Sequence, residues 1–396
     1  MTSERPAAPA PVWRLLLVIF FARTILNVGY RAVYPFLPFI ASDLGISFQS
    51  AAEIIQSRNL IGLIAPLFGP LSDRFGRRTL MLTGLAISVI ACLSLGALNA
   101  FVFAIVAIAA ISLGKAIFDP AQQAYLGDRV PYVERGRAIA LSEISWSAAA
   151  LLGLPVFGIV VQYAGWRIAF VILGVIGLFM LALTRLGIPD NELAVHRSDG
   201  GLWERSFGQI IRQPVALSAL LAAALNAASN ENIGVVYSEW MKNSFLLDAV
   251  ALGLVASFIG VAELGGELVS TAWVDRIGKH RLVRVCLLVS SGTYLLLPLL
   301  AQNAVLATLG LVLTYFFFEI SVVAAIPLVS EVVPHARATL LALNVAAFAL
   351  GRTLGSFTGP FVFASSGFSA NAFVSAGGAL LAFGVWHLFV REHKSA

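Results

Sequence analysis

Ionisable side chains interrupt long apolar stretches of this sequence at twelve positions, namely Arg23, Arg31, Glu53, Arg58, Lys115, Asp119, Glu143, Glu231, Glu263, Glu267, Glu319 and Arg352. A charge at the centre of a bilayer costs about 2.5–3.5 kcal/mol on insertion scales. If the stretches are membrane helices, these charges must face water-filled space or a partner. The set therefore predicts a polar path through the molecule, along which charged groups bind a solute or carry protons.

The carboxylates in this set have the chemistry to carry protons. Glu263 and Glu267 lie four residues apart on one helical face, and two adjacent carboxylates in a low dielectric resist ionising together. We expect a proton on one of them, and the alternative is that Arg352, at similar depth on the eleventh helix, neutralises one of the two. Glu319 has no partner on its own helix and is the next candidate.

Basic and amide side chains are candidates for the wall of a substrate cavity. Arg23, Asn27 and Arg31 recur every four residues and so form one polar face of a helix. This face either contacts an anionic or polar substrate group or forms ion pairs with carboxylates such as Glu53. The other cavity candidates are Lys115, Asn226, Asn230, Glu231 and Arg352. For the seventh-helix members of that group, hydrogen bonds that let the helix bend are the alternative.

Two further pairs have more local interpretations. Lys115 and Asp119 lie four residues apart, which favours an ion pair within one helix, and Asp119 is the last proton-coupling candidate. Glu143 and Arg137 lie near the end of the fifth helix and are expected to belong to an inner gate.

Composition indicates the elements that position these residues. The chain is 59% hydrophobic and 12% charged, with a mean hydropathy of +0.88, whereas soluble domains carry about 25% charged residues. Residues 79–114 and 285–318 contain no charge at all. Each run exceeds the roughly 20 residues that one membrane helix needs and suits two. We predict an all-α membrane protein with twelve spans: 14–40, 50–71, 79–97, 101–126, 138–161, 166–184, 214–237, 249–273, 283–300, 304–330, 337–361 and 368–390.

The loop charges predict the orientation. Nineteen Lys or Arg residues lie at the termini and in the loops on the same side, against two, Arg167 and Lys242, on the other. By the positive-inside rule both termini are cytoplasmic. Two halves, 1–184 and 214–396, flank a cytoplasmic linker at 185–213. Within it, one helical face holds Trp203, Phe207, Ile210 and Ile211, which indicates either a surface helix or an ordinary polar linker.

Several functional classes are excluded. The two cysteines, Cys92 and Cys286, lie in apolar runs and are interpreted as buried small hydrophobes. The five histidines are dispersed, and no phosphate loop or nucleotide fingerprint occurs, so we expect no enzyme activity, cofactor or metal. The pI is near 9.4, but the basic residues are scattered over short loops, which argues against nucleic-acid binding.

The chain contains an internal repeat. "VDRIGKHR" at 274–281 repeats "SDRFGRRT" at 72–79 with an offset of 202 residues, and "VPYVERGRA" at 130–138 recurs as "VPHARA" at 333–338. Two six-helix halves related by pseudo-symmetry are typical of transporters, in which the substrate site lies between the halves at mid-membrane.

The segment "GPLSDRFGRR" at 69–78 resembles the loop motif of the major facilitator superfamily, G-x-L-x-D-R-x-G-R-K/R. The resemblance extends over essentially the whole chain and implies that fold. It also implies that Asp73 latches the halves by bonding to the start of the eleventh helix, where the helix dipole favours a carboxylate. The gating residues that it assigns are Gly69, Asp73, Arg74, Gly76 and Arg77, with Asp275, Arg276 and Gly278 in the second copy, where Thr271 replaces the leading glycine.

Two shorter motifs resemble those of the proton-coupled drug exporters within this family. They are Gly29-x5-Pro35-x2-Pro38 in the first helix and Gly153-Leu-Pro155-x2-Gly158 in the fifth. The fourth-helix arginine of that branch is absent here, and Lys115 is the nearest candidate for its place.

These observations predict a monomeric secondary transporter of the inner membrane that works by alternating access. Its partners would be the bilayer, a small-molecule substrate and protons. The favoured function is export of a lipophilic or amphipathic compound against inward proton flow. The alternative is uptake or facilitated transport of a polar or anionic solute, which the first-helix arginines favour. A non-transporting sensor would need a signalling domain, and the longest soluble stretch is the 29-residue linker.

Overall fold

The protein is a bundle of α-helices. The computed structural model describes residues 12–97, 100–189, 207–333 and 336–390, and these contain no β-strand. The helices are α1 (Val12–Leu44), α2 (Phe48–Ile64, a 3-10 turn Ala65–Leu67, then Phe68–Phe75), α3 (Arg77–Ser94), α4 (Phe101–Arg129), α5 (Tyr132–Ala148, a π-helical turn Ala149–Gly153, then Leu154–Ala164), α6 (Trp166–Gly187), α7 (Pro214–Phe245), α8 (Ala249–Ile277), α9 (Lys279–Leu296), α10 (Ala304–Val332), and the run Arg337–Phe389, which Gly367 divides into α11 and α12.

The predicted twelve-helix architecture is confirmed, with most helices extending a few residues beyond the predicted ends. Eight helical segments are long and apolar enough to cross a membrane by composition alone, and one of these holds both α11 and α12. The three helices outside this group are α2, α7 and α9. Pro66 interrupts α2, and α7 contains polar side chains that point into the protein, including buried Asn226, Glu231 and Asn232. The first segment of α2 is therefore only 17 residues long, and α9 begins with the basic sequence KHRLVR.

The backbone reproduces the sequence repeat. Gly76, between α2 and α3, has φ 88°, and Gly278, which is 202 residues later between α8 and α9, has φ 91°. Gly165 and Gly367 have the same offset, with φ 86° and 75°, and each separates the last two helices of its half. A positive φ is readily adopted only by glycine, so four fixed turns mark the pseudo-symmetry.

Ion pairs at the two homologous turns are also equivalent. At the start of α3, Arg77 Nη1 lies 2.7 Å from Asp128 Oδ2 at the end of α4. At the start of α9, Lys279 Nζ lies 2.7 Å from Glu331 Oε1 at the end of α10. Each turn thus fixes its half in the same way.

The predicted latch involves side chains outside this description. The side chains of Asp73 and Asp275 are not among those that the structure describes, and neither are the surroundings of Gly69. Arg74 and Arg276 are described and are exposed. The bond from Asp73 to α11 therefore stays a prediction.

Only part of the linker is described. Residues 207–211 are helical, Ile210 is buried against the core of the C-terminal half, and Phe207 and Ile211 are exposed. Trp203 lies outside the described residues. The apolar face predicted for this segment is thus divided between the protein core and the surface.

The halves meet along helices that contain glycine. We call the end of the bundle at which α1 begins the terminal face and the other end the distal face. A Cβ on Gly158 of α5 would lie 2.7 Å from the carbonyl oxygen of Ala249 in α8, and one on Gly253 would lie 2.9 Å from that of Leu154. The fifth-helix motif therefore permits close contact between α5 and α8.

Substituting Gly351→Ala should destabilise the protein. A Cβ there would lie 2.0 Å from the carbonyl oxygen of Ala224, so α11 and α7 would have to separate, and overpacking of this kind costs about 1–3 kcal/mol. Gly384→Ala is the control, because a Cβ there meets nothing within 4 Å. Thermal unfolding in detergent should show a lower midpoint for Gly351→Ala alone. Equal midpoints for the two variants would contradict this packing.

Candidate functional site

A small cavity lies between the halves near mid-bundle. Its volume is about 50 Å³, which holds water molecules or a small polar group. Its walls come from seven helices and consist of Arg31, Tyr34, Pro35, Arg58, Trp146, Leu154, Glu231, Tyr237, Ala256, Ile259, Glu263, Tyr315 and Arg352. Cations from the N-terminal half thus face carboxylates from the C-terminal half. We call this the central cavity.

Glu231 of α7 is the most enclosed carboxylate of the central cavity. Its side chain is 1% exposed and its Oε2 lies 3.0 Å from Arg352 Nε of α11. Oε1 accepts hydrogen bonds from the Tyr34 hydroxyl of α1 and, at 2.8 Å, from Asn59 Nδ2 of α2. One buried carboxylate therefore joins the two halves by accepting from three donors.

Glu263 of α8 makes a second connection between the halves. Its Oε2 lies 2.7 Å from Arg31 Nη1 of α1 and accepts a hydrogen bond of 3.1 Å from Trp146 Nε1 of α5. The proposed neutralisation of this acid by Arg352 is wrong, because Arg352 faces α7 and pairs there with Glu231. Arg31 takes that role.

Glu319 and Glu267 lie near Glu263 but without its bonds. Glu319 of α10 is packed against α8 at Gly266, where an added Cβ would lie 2.9 Å from that of Glu319. The charges of Glu263, Glu267, Arg31 and Arg352 act on it. Among the described residues, neither Glu319 nor Glu267 has a side-chain hydrogen bond or ion pair. The structure thus places Glu267 and Glu319 near Glu263, which alone of the three forms an ion pair among the described residues.

A second group of charges lies towards the terminal face within the N-terminal half. Arg23 Nε lies 3.1 Å from Asp119 Oδ1, and Arg23 Nη2 lies 2.9 Å from Glu143 Oε2. The predicted pair within α4 is present, with Lys115 Nζ 2.6 Å from Asp119 Oδ2. Lys115 also donates to Asn27 Oδ1 at 2.6 Å. The polar face of α1 therefore contacts α4 and α5 here, and Glu53 is exposed rather than paired with it.

A larger cavity of about 210 Å³ lies beside this group, between α1, α2, α4 and α11. It shares Arg352 with the central cavity. The remaining walls are partly charged and partly apolar: Tyr30, Asn59, Gly62, Ala65, Ser112, Lys115, Ala116, Asp119, Val345, Phe348 and Ala349. We call it the amphipathic cavity.

Four other candidates line neither cavity. Asn226 donates to Ser321 Oγ at 2.9 Å within the C-terminal half, and Asn230 lies beside the Tyr294 hydroxyl of α9. These amides face neighbouring helices of their own half, so neither lines a cavity between the halves. Arg137 is exposed at the terminal face, and Glu143 bonds Arg23 and Gln123.

Aromatic residues are the part of the site that sequence reasoning missed. Arg58 lies over the rings of Tyr30 and Tyr34, and Arg31 lies over Trp146 at 4.3 Å from the ring centroid. Arg58 itself was one of the twelve charges in apolar stretches, but no pattern assigned it a role. Aromatic residues are common in every membrane helix, so their types and spacing alone did not mark these rings.

The halves are bonded to each other on the distal side of the central cavity. Ser238 Oγ of α7 donates to the Tyr34 carbonyl of α1 at 2.7 Å, and the Ala249 amide of α8 donates to Gln162 Oε1 of α5 at 3.0 Å. Towards the terminal face, the side chains of Asp119 and Glu143 are 24% and 42% exposed. The structure is therefore closed distally, while its terminal-side charges reach solvent.

A twelve-helix bundle with a charged cavity between two pseudo-symmetric halves defines a membrane transport protein. The sequence matches the Major Facilitator Superfamily over residues 18–225 and again over 219–396. The chain belongs to this superfamily, whose members are transporters and not enzymes. Among the described residues, no cluster of His, Cys, Asp and Glu is arranged to hold a metal ion.

Known proteins similar over the full length include multidrug transporters. The multi-drug resistance efflux pump PmrA of Streptococcus pneumoniae is 25% identical over 371 residues, which cover 90% of each chain. The multidrug resistance protein MdtG of Salmonella typhi is 26% identical over 380 residues, which cover 92% of each. The crystal structure of a D-xylose-proton symporter superimposes with a TM-score of 0.80 at 16% identity, covering 97% of this chain and 99% of the symporter. This last likeness concerns the fold.

Proposed function

We propose that this transporter exports a lipophilic or amphipathic small molecule from the cytoplasm in exchange for protons. Support for export comes from the similarity to PmrA and MdtG. Support for an amphipathic substrate comes from the amphipathic cavity, in which Val345 and Phe348 share a wall with Lys115 and Asp119. The first-helix arginines, which favoured a polar or anionic solute, are ion-paired with acids and offer less to such a solute.

The observation that carries the proton step is the grouping of Glu263, Glu267 and Glu319, of which only Glu263 forms an ion pair among the described residues. Three neighbouring carboxylates with one ion pair between them cannot all stay ionised in a low-dielectric site at moderate cost. Protonation of Glu263 would release Arg31, and so would loosen one connection between α1 and α8. In this mechanism, proton binding and separation of the halves are the same event.

The direct test is transport by the purified protein in proteoliposomes with an imposed pH gradient. An internal pH dye and a fluorescent amphipathic compound are followed together. We expect compound uptake into inside-acid vesicles, coupled to alkalinisation of the lumen, for molecules inserted with the terminal face outside. Compound movement with no proton flux would replace this function by facilitated transport.

The orientation in the membrane is a further proposal. Both termini and the 185–213 linker should be cytoplasmic, because nineteen Lys or Arg residues lie on that side. A single cysteine at Asn243, close to the distal end of α7, should react in whole cells with an impermeant thiol reagent. A single cysteine at Asn191, outside the described residues, should react only after lysis. The opposite labelling pattern would invert the topology.

A further inference from the structure

Arg58 of α2 is a buried cation that the proton step does not use. The residue is 1% exposed and lies on the wall of the central cavity. Its Nε and Nη1 atoms have no hydrogen-bond partner, and no carboxylate within the described residues pairs with it. Its guanidinium carbon lies 3.5 Å from the ring centroid of Tyr30 and 4.4 Å from that of Tyr34. The two rings hold the cation in place without neutralising it.

The other cations that line the two cavities each have an acid. Lys115 pairs with Asp119, Arg31 with Glu263, and Arg352 with Glu231.

The carboxylate nearest to Arg58 through its contacts is Glu231. Arg58 lies over the ring of Tyr34, and the Tyr34 hydroxyl donates to Glu231. The oxygens of Glu231 also accept from Arg352 and Asn59. Among the described residues the ion-pair partner of Glu231 is Arg352, so its charge is already compensated and it forms no ion pair with Arg58.

A buried charge is stable only when it is paired or solvated, and cation–π contacts offset part of that requirement. We propose that Arg58 binds an anionic group of the transported molecule, such as a carboxylate. This inference rests on the proposed function and deepens it: the substrates are amphipathic monoanions. Their charged group enters the central cavity and displaces water there, and their apolar part lies in the amphipathic cavity.

The geometry of the two cavities fits this division. At about 50 Å³ the central cavity suits a small charged group and excludes an aromatic body. The amphipathic cavity has a volume of about 210 Å³, which is about four times that of the central cavity. Tyr30 lines the larger cavity and carries Arg58 over its ring, so the two sites are adjacent. A neutral molecule of the same shape would leave Arg58 unpaired.

Binding of a matched pair of probes tests the proposal on the full-length protein in detergent. Naphthoate is an amphipathic monoanion, and naphthamide is its neutral counterpart of nearly equal size. By isothermal titration calorimetry, the unmodified protein should bind naphthoate about tenfold more tightly, because a charge-assisted hydrogen bond is lost with the amide. Arg58→Met should remove that preference and leave the affinity for naphthamide unchanged. Arg58→Lys should keep part of it.

Arg167→Met is the matched control, because Arg167 is ion-paired with Asp43 at the distal face, far from Arg58 along the bundle. It should leave both affinities unchanged. Three outcomes would each overturn the proposal. They are an equal loss of affinity for both probes in Arg58→Met, an equal affinity of the two probes for the unmodified protein, and no binding of naphthoate. Binding in detergent involves no gradient, so these results are separate from those that test proton-driven export.

Thermal unfolding distinguishes a ligand site from a structural role. If Arg58 serves substrate, Arg58→Met removes an unpaired buried charge and the unfolding midpoint should stay equal or rise. If Arg58 instead holds α1 to α2, the midpoint should fall, and that outcome would count against the proposal. Arg58→Lys retains the charge and allows the probes to be compared if Arg58→Met does not fold.

Discussion

Glu263→Gln should abolish proton-driven transport without abolishing ligand binding, and it should also lower the thermal unfolding midpoint, because buried Arg31 loses its acid. Glutamine can still accept the hydrogen bond of Trp146, so one contact of α8 with the N-terminal half is retained. Glutamine can no longer take up a proton. The partner of Arg31 therefore stays neutral throughout the cycle instead of changing between charged and neutral. In proteoliposomes with an imposed pH gradient, we expect both substrate accumulation and dye-reported proton flux to fall to the background of empty vesicles.

Glu319→Gln should have the same effect on transport for a different reason. Glu319 has no hydrogen-bond or ion-pair partner in the described part of the chain, but the charges of Glu263 and Glu267 act on it. It is therefore placed to accept the proton that Glu263 gives up when Arg31 returns. Removing it should interrupt transfer without disturbing any bond in this state.

The control for both variants is Glu239→Gln. Glu239 lies on α7 near the distal face and bonds only Asn243 in the same helix, at 2.9 Å, among the described contacts. The Glu239→Gln variant should transport substrate and protons like the unmodified protein. If Glu263→Gln, Glu319→Gln and Glu267→Gln all still move protons with substrate, the coupling site is elsewhere, and Asp119 becomes the first residue to examine.

The fold was predictable from the sequence because it depends on quantities that a sequence contains directly. The length of the charge-free runs sets the number of spans, and the repeated turns at Gly76 and Gly278 set the pseudo-symmetry. Local pairing was predictable for the same reason, as Lys115 and Asp119 show, since a spacing of four places two side chains on one helical face.

Partner choice across helices was not predictable. Arg31 and Arg352 both lie at mid-depth, and only the packing of α1 against α8 and of α11 against α7 decides which acid each one meets. Asn226 appeared suitable for a cavity by residue type, yet the rotation of α7 directs it to Ser321. Depth and residue type are thus encoded locally, whereas the direction in which a side chain points depends on the whole bundle.

The pair formed by Glu231 and Arg352 should be the most sensitive point of the structure. Glu231 is 1% exposed and Arg352 is 28% exposed, so Arg352→Gln would leave a buried carboxylate without its cation, and Glu231→Gln would leave a half-buried cation without its acid. Removing one partner of a buried ion pair costs about 3–5 kcal/mol, whereas removing both is often close to neutral. We therefore expect Glu231→Gln and Arg352→Gln each to lower the thermal unfolding midpoint strongly, and the double variant to recover much of the loss.

A pair with an exposed carboxylate at the distal face provides the comparison. Arg167 and Asp43 also form an ion pair, but the Asp43 side chain is 47% exposed whereas that of Glu231 is 1% exposed, and pairs that reach solvent contribute about 0–1 kcal/mol. Arg167→Gln, Asp43→Asn and their double variant should therefore shift the midpoint little and additively. If the Glu231 and Arg352 variants are also additive, the two groups do not depend on each other in the folded protein. Tyr34 and Asn59, the other donors to Glu231, would then be what holds that carboxylate between the halves.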